Sequence, residues 1–129
     1  MPHVNHLAVI VAALSSFALG GLWYSNVLFG AAWRRAAGGP EIQGHPAKVF
    51  GLSFLFALIA AFAYAVIVSP PSSAVMAGGQ GLLVGAGMVA ASFGINYQFA
   101  NRRTILWLID GGYHSVQFTI FGLILGLWR

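Results

Sequence analysis

The chain has 129 residues, of which 59% are hydrophobic and only 6% are charged. Soluble domains contain roughly 25% charged residues, so this composition excludes a protein whose surface is covered by water. No cysteine is present, which excludes disulfide bonds, thiolate catalysis and cysteine-ligated metal sites.

Four apolar runs each reach or exceed the ~20 residues that cross a bilayer as a helix. In chain order they cover residues 7–29, 49–68, 75–99 and 104–128. The connections are short apart from the first, and short connections make successive helices antiparallel neighbours. The sequence therefore predicts an all-α polytopic membrane protein. Residues 1–129 would form a single transmembrane domain, an up-down bundle of four transmembrane helices whose partner is the lipid bilayer.

The connections carry signals for helix ends and for the membrane interface. Asn5 is a candidate N-cap for the first helix, and the serines after Pro71 are candidate caps for the third. Pro46 suits the first turn of the second helix. Trp33, which two arginines follow, is expected to anchor the first connection at the level of the lipid headgroups.

Basic residues predict the orientation of the chain. Five of the six lie in two connections on the same side of the membrane, namely Arg34, Arg35, Lys48, Arg102 and Arg103. Because Lys and Arg in short loops favour the cytoplasmic side, we expect a multi-pass protein of the bacterial inner membrane with both termini outside. The net charge of +4 then reflects topology and lipid contact, and no nucleic-acid partner is expected.

Glycine accounts for 17 residues, and several glycines have the spacing of close helix contacts. Such contacts serve either packing within the chain or association of several chains, and we favour a homo-oligomer. A glycine pair also follows Asp110, either for contact with a neighbouring helix or ligand or to mark a bend, and helix contact is the favoured role. The predicted packing glycines are Gly81, Gly85, Gly111, Gly112, Gly122 and Gly126.

Asp110 is one of two acidic residues and the only charged residue within the apolar runs. A carboxylate near hydrocarbon has to be paired, hydrated or protonated. His114 follows one turn later on the same helix face, and other polar side chains are expected at the same depth. The predicted polar site, for a proton or a solute, comprises Asp110, His114, Tyr113, Trp23, Tyr24, Asn96 and Gln98.

Two interpretations of this site stay open. In the structural one, Asp110 pairs with Arg102, Arg103 or an arginine of the first connection, and the pair holds the helix ends together. In the functional one, Asp110 and His114 accept and release a proton as an ion or solute moves.

Neither a metal site nor a catalytic site is evident. His3 and His6 are three residues apart and have no carboxylate or thiol beside them, which makes a poor metal site. The sequence contains no P-loop, no Gly-x-Ser-x-Gly and no His-Glu-x-x-His motif. We therefore predict no cofactor, no metal and no catalytic residue.

Several short motifs together resemble a known family. They are Asn5-His6-x-Ala8, Gly20-Gly21-Leu22-Trp23-Tyr24-Ser25, Phe29-Gly30-x-x-Trp33 and Asp110-Gly111-Gly112-Tyr113-His114. They resemble the bacterial membrane family called domain of unknown function 1761, over nearly the whole chain. The resemblance implies a four-helix integral membrane protein and a special role for these motifs, but no activity.

Two functions from different classes are compatible with these features. The first is an oligomeric channel or transporter-like element whose polar site handles a solute or a proton. The second is a structural or accessory subunit of a larger membrane complex, in which Asp110 acts as a packing latch.

Overall fold

A computed structural model describes residues 3–129, and this part of the chain contains helices and no strand. The all-α class is therefore confirmed. The helices are α1 (His6–Trp23), α2 (Gly30–Ala37), α3 (Pro46–Ile67), α4 (Ala74–Val84), α5 (Ala91–Phe99) and α6 (Thr104–Leu127). A π-helical turn, Gly85–Ala90, joins α4 to α5 without a break.

Three helical stretches are long and apolar enough to cross a membrane. They are α1, α3 and the continuous helix Ala74–Phe99 that contains α4, the π turn and α5. Helix α6 has 24 residues but is not apolar enough to count among them, because polar residues such as Asp110, His114 and Gln117 interrupt it. The up-down bundle of four transmembrane helices accordingly stays a prediction.

Side-chain caps explain where several helices begin. Asn5 Oδ1 accepts a hydrogen bond from the Ala8 amide at 3.1 Å, and Ser73 Oγ accepts one from the Met76 amide at 3.1 Å. Each satisfies an amide that has no partner within its helix. Pro46 occupies the first turn of α3, where its missing N–H costs nothing. The predicted caps Asn5 and Ser73 and the predicted place of Pro46 in a first turn are thus confirmed.

Helix α6 lies at the centre of the fold. It packs along α1 on one side and along α4 and the π turn on the other, and it also contacts α2, α3 and α5. Phe118, Phe121 and Leu125 of α6 are buried in the core beside Ala12 and Ala61. Because protein rather than lipid surrounds much of this helix, its polar side chains can find partners.

Glycines bring α6 into backbone contact with its neighbour. A Cβ on Gly81 would overlap the carbonyl of Phe118, and a Cβ on Gly122 would overlap the carbonyl of Ala77. Gly85 meets the α6 backbone in the same way. These glycines are therefore used for packing within the chain, as in other close helix contacts. Association into a homo-oligomer stays a prediction that this surface does not support.

Helix α3 packs less extensively than α1 or α6. It packs along α1, makes a small contact with α6, and has no substantial contact with the continuous helix Ala74–Phe99. The helices therefore form an open layer in the order α3, α1, α6 and then α4 to α5. This arrangement leaves a cleft between α3 and α6.

We predict that Gly122→Ala destabilises the protein by about 1–3 kcal/mol, because the new methyl group has no space against the Ala77 carbonyl. Thermal unfolding of the purified protein in detergent, followed by circular dichroism, measures the effect. Gly79→Ala is the matched control, since a Cβ there meets nothing within 4 Å, and it should unfold at or above the wild-type temperature. Equal unfolding temperatures for the two variants would contradict the proposed backbone contact.

Candidate functional site

The carboxylate of Asp110 is held by hydrogen bonds from three other segments of the chain. Its Oδ1 accepts from the Tyr24 hydroxyl at 2.5 Å and from Trp33 Nε1 at 3.0 Å. Its Oδ2 accepts from the Tyr97 hydroxyl at 2.5 Å. Tyr24 directly follows α1, Trp33 lies in α2 and Tyr97 lies in α5. Asp110 therefore connects α6 to the ends of three helical segments.

No cation in the described part of the chain pairs with this carboxylate. Within residues 3–129 the one ion pair joins Arg34 Nη1 to Glu41 Oε1 at 2.8 Å. Arg102 and Arg103, which the sequence offered as partners of Asp110, are exposed. The structural interpretation expected an ion pair between Asp110 and an arginine, and the described residues form no such pair. The neutral donors satisfy the oxygens of Asp110 but supply no countercharge.

Trp23 of α1 packs against the glycine pair that follows Asp110 in α6. Its Nε1 donates to the Ile109 carbonyl at 2.9 Å, and its ring lies 3.0 Å from the position of a Cβ on Gly112. A Cβ on Gly111 would lie 3.2 Å from the Ala90 side chain. Both glycines lie within the continuous α-helix α6. They therefore serve contact with neighbouring helices and do not interrupt the helix.

His114 belongs to a separate polar group. Its Nδ1 and Gln117 Oε1 share a hydrogen bond of 2.7 Å. Gln117 Nε2 donates to Ser16 Oγ at 2.8 Å, and the Tyr113 hydroxyl donates to the Ser16 carbonyl at 2.8 Å. These bonds fasten α6 to α1. His114 makes no hydrogen bond with Asp110, so the structure does not join the two as an Asp-His pair.

Asn96 and Gln98 do not join the cluster around Asp110. Both side chains are exposed, and neither makes a side-chain hydrogen bond within the described range. Tyr97, between them, reaches the carboxylate instead. Neighbouring helical residues point about 100° apart, so only one of the three is directed at α6.

Trp33 and Glu41 are members of this region that sequence reasoning did not assign to it. Trp33 was expected to act as an anchor in the interface, and its indole instead donates to Asp110. Trp33 does belong to one of the motifs that carry the family resemblance, and this was the only indication in the sequence that it had a special role. Glu41 lies in the first connection, and nothing in its sequence context indicated the pair with Arg34.

A cavity of about 870 Å³ borders Asp110 where α2 and the following loop fold back over the bundle. Both acidic residues of the chain, Asp110 and Glu41, line it, whereas Arg34 is the only basic residue that does. Serine and asparagine side chains complete the polar wall. The aromatic side chains in the lining are Phe17, Tyr24, Trp33, Phe50 and Tyr113.

A second cavity of about 510 Å³ continues the cleft between α3 and α6. Ser16, Phe17, Ser53 and Tyr113 line both cavities. The walls of the second are mostly apolar. Its remaining lining residues are Phe56, Ala57, Ala60, Val89, His114, Gln117 and Phe118. The first cavity, which contains the charged side chains, therefore adjoins a second cavity with mostly apolar walls.

The chemistry available in this region is hydrogen bonding, charge and aromatic contact. Among residues 3–129, no three His, Asp or Glu side chains come together as metal ligands. The described polar side chains are engaged mainly with helix backbones and with one another.

Comparison with known proteins shows the family of the chain. Residues 7–126 match the family described as Protein of unknown function (DUF1761), so the chain belongs to it. The resemblance inferred from the short motifs is thus confirmed. Searches of curated proteins and of solved structures each found no match. The family carries no activity that transfers to this chain.

We predict that Tyr24→Phe destabilises the protein by about 1.5–3 kcal/mol, because it removes a hydrogen bond to a carboxylate. Thermal unfolding in detergent measures the loss. Tyr64→Phe is the matched control, since the buried Tyr64 hydroxyl has no hydrogen-bond partner in the described part of the chain. It should be neutral or stabilising. The expectation fails if Tyr24→Phe unfolds at the wild-type temperature.

Proposed function

We propose that this chain is a small transporter-like membrane protein in which the cavity beside Asp110 binds a solute. Its three helices that are apolar enough to span a membrane make it compatible with a membrane protein, and its family has no known function. The observation that carries the proposal is a carboxylate, on the wall of a cavity of about 870 Å³, that pairs with no cation among residues 3–129.

The cost of an intramembrane carboxylate argues for a role beyond packing. Ionisable groups within membrane helices are expensive and are usually found on solute or ion pathways. Apolar residues of similar volume stabilise a core as well as, or better than, a buried ionic group. Tyr24, Trp33 and Tyr97 all orient the Asp110 carboxylate, so its position is preorganised for a ligand.

The loose packing of α3 favours a transporter over a static pore. Helix α3 contacts mainly α1, and the two cavities lie along its inner face. A movement of α3 relative to α6 would change the access to both cavities while leaving the α4 and α6 contact intact. Such a rigid-body movement around a fixed site is the usual basis of alternating access.

The cellular setting is part of the same proposal. The distribution of basic residues supports the bacterial inner membrane with both termini outside and the basic loops in the cytoplasm. In that orientation the roof of the first cavity, α2 and the loop after it, lies on the cytoplasmic side. A homo-oligomer would supply the surface that covers the exposed apolar faces of α3.

An accessory subunit of a larger membrane complex is the second candidate. The observation that favours it is the number of segments that Asp110 fastens together, since three donors from three segments meet at one carboxylate. In this case Asp110 and its three donors only hold the helix ends together, and the cavity has no ligand.

We predict that Gly21→Cys reacts from both sides of the membrane with an impermeant thiol reagent. Gly21 lines the first cavity, a Cβ there meets nothing within 4 Å, and the chain has no other cysteine. The measurement compares labelling in right-side-out and inverted vesicles. Access from both sides is the property of a site that opens alternately, whereas a latch gives access from one side at most.

Leu83→Cys is the matched control for this experiment. Leu83 is 70% exposed in the middle of the helix Ala74–Phe99 and lines neither of the two cavities. We expect a lipid-facing cysteine there to stay unlabelled from either side. Labelling of Gly21→Cys from one side only would refute transport.

A further inference from the structure

We infer that the cavity beside Asp110 binds an organic cation of the quaternary ammonium class, with an apolar substituent in the adjoining cavity. The inference rests on the proposed function, because it names the class of solute for the same site. Charge, aromatic geometry, hydrogen-bonding capacity and shape each support it.

The charge of the cavity is opposite to that of the whole chain. The protein has a formal net charge of +4 and only two acidic residues. Both of them, Asp110 and Glu41, line this cavity. Arg34 offsets one of the two carboxylates, so one net negative charge faces the cavity. A cation that enters would supply the countercharge that Asp110 lacks within the fold.

Three aromatic rings form an inclined group beside the carboxylate. The rings of Tyr24 and Trp33 are 6.5 Å apart with an angle of 87° between their planes, and those of Tyr24 and Tyr113 are 5.6 Å apart at 54°. All three line the cavity. Rings at steep mutual angles can present several faces to one cation, which is how aromatic cages recognise quaternary ammonium groups.

Hydrogen-bonding capacity distinguishes a quaternary ammonium from other cations. An ionised carboxylate has about four acceptor positions, and three donors already occupy positions on Asp110. A primary amine or a guanidinium would need several of these positions. A calcium or magnesium ion would need a shell of oxygen ligands, and the carboxylate oxygens are taken up by O–H and N–H donors. A quaternary ammonium needs only charge and ring faces.

The shape of the cleft favours an amphipathic ligand. The first cavity contains the charges, and the second, about 510 Å³ in volume, is lined by Phe56, Ala60 and Phe118. Phe17 and Ser53 border both. A ligand with its ammonium group among the rings of the first cavity can therefore extend an aryl or alkyl group towards the second.

The test is a calorimetric titration of the purified protein in detergent with three compounds. They are choline, its uncharged isostere 3,3-dimethyl-1-butanol, and benzyltrimethylammonium. We expect choline to bind at least about tenfold more tightly than the isostere, because only choline carries charge. Benzyltrimethylammonium should bind more tightly than choline, because its ring reaches apolar walls. Equal binding of choline and the isostere, or no binding of either cation, overturns the inference.

Charge variants separate a binding effect from damage to the fold. Arg34→Gln removes the one positive charge from the lining and should tighten cation binding by roughly tenfold. Glu41→Gln should weaken it by a similar factor. Arg35→Gln is the matched control, because Arg35 is exposed and lies outside the lining, and it should leave the affinity unchanged. Tighter binding by Arg34→Gln cannot result from misfolding. Unchanged or weaker cation binding by an Arg34→Gln variant that unfolds at the wild-type temperature overturns the inference.

The outcomes for the solute class and for transport can be told apart. If Gly21→Cys is labelled from both sides but the cations bind no better than the isostere, the solute class is wrong and transport stands. If cations bind as expected but labelling occurs from one side only, the protein binds cations without transporting them.

Discussion

A carboxylate within a largely apolar helix must be satisfied by hydrogen-bond donors, and the donors that satisfy Asp110 determine how the ends of four helical segments are arranged. The Trp33 indole reaches the carboxylate only if α2 folds back over the bundle, and Tyr24 reaches it only if the chain continues inward after α1. The same folding back places the roof over the first cavity. The polar contact and the cavity are thus two results of one constraint.

The central position of α6 follows from the same need. Helix α6 carries more polar side chains than the three stretches that are apolar enough to span a membrane, and protein contacts provide partners for them. Gln117 bonds to Ser16 of α1, and the Ile109 carbonyl accepts from Trp23. Glycine at Gly81 and Gly122 removes the side chains that would hold the helices apart. In a bilayer, where lipid tails compete equally for apolar surface, such contacts carry much of the specificity.

The sequence predicted the all-α class and the caps at Asn5 and Ser73, since each depends on local residue chemistry. A functional role for Asp110 stays a prediction. The sequence grouped Tyr24 with Asp110, but it did not predict that Tyr24, Trp33 and Tyr97 donate to the carboxylate. The nearby arginines offered the obvious partners, whereas the actual donors depend on the folding back of α2 and on the direction of Tyr97. The open position of α3 was not predictable either, because a uniformly apolar helix does not specify which of its faces meets protein. These features arise from tertiary structure alone.

The π-helical turn Gly85–Ala90 determines the phase of the helix that contains it. In an uninterrupted α-helix, Tyr97 would lie about 120° around the axis from Gly85, and one residue absorbed by the wider turn reduces this to about 20°. Both residues in fact face α6. The number of residues in this turn is therefore constrained as well as the identity of Gly85, which admits the α6 backbone. A substitution at an exposed position of the turn leaves Tyr97 directed at Asp110, whereas deletion of a single residue turns its hydroxyl out of the site.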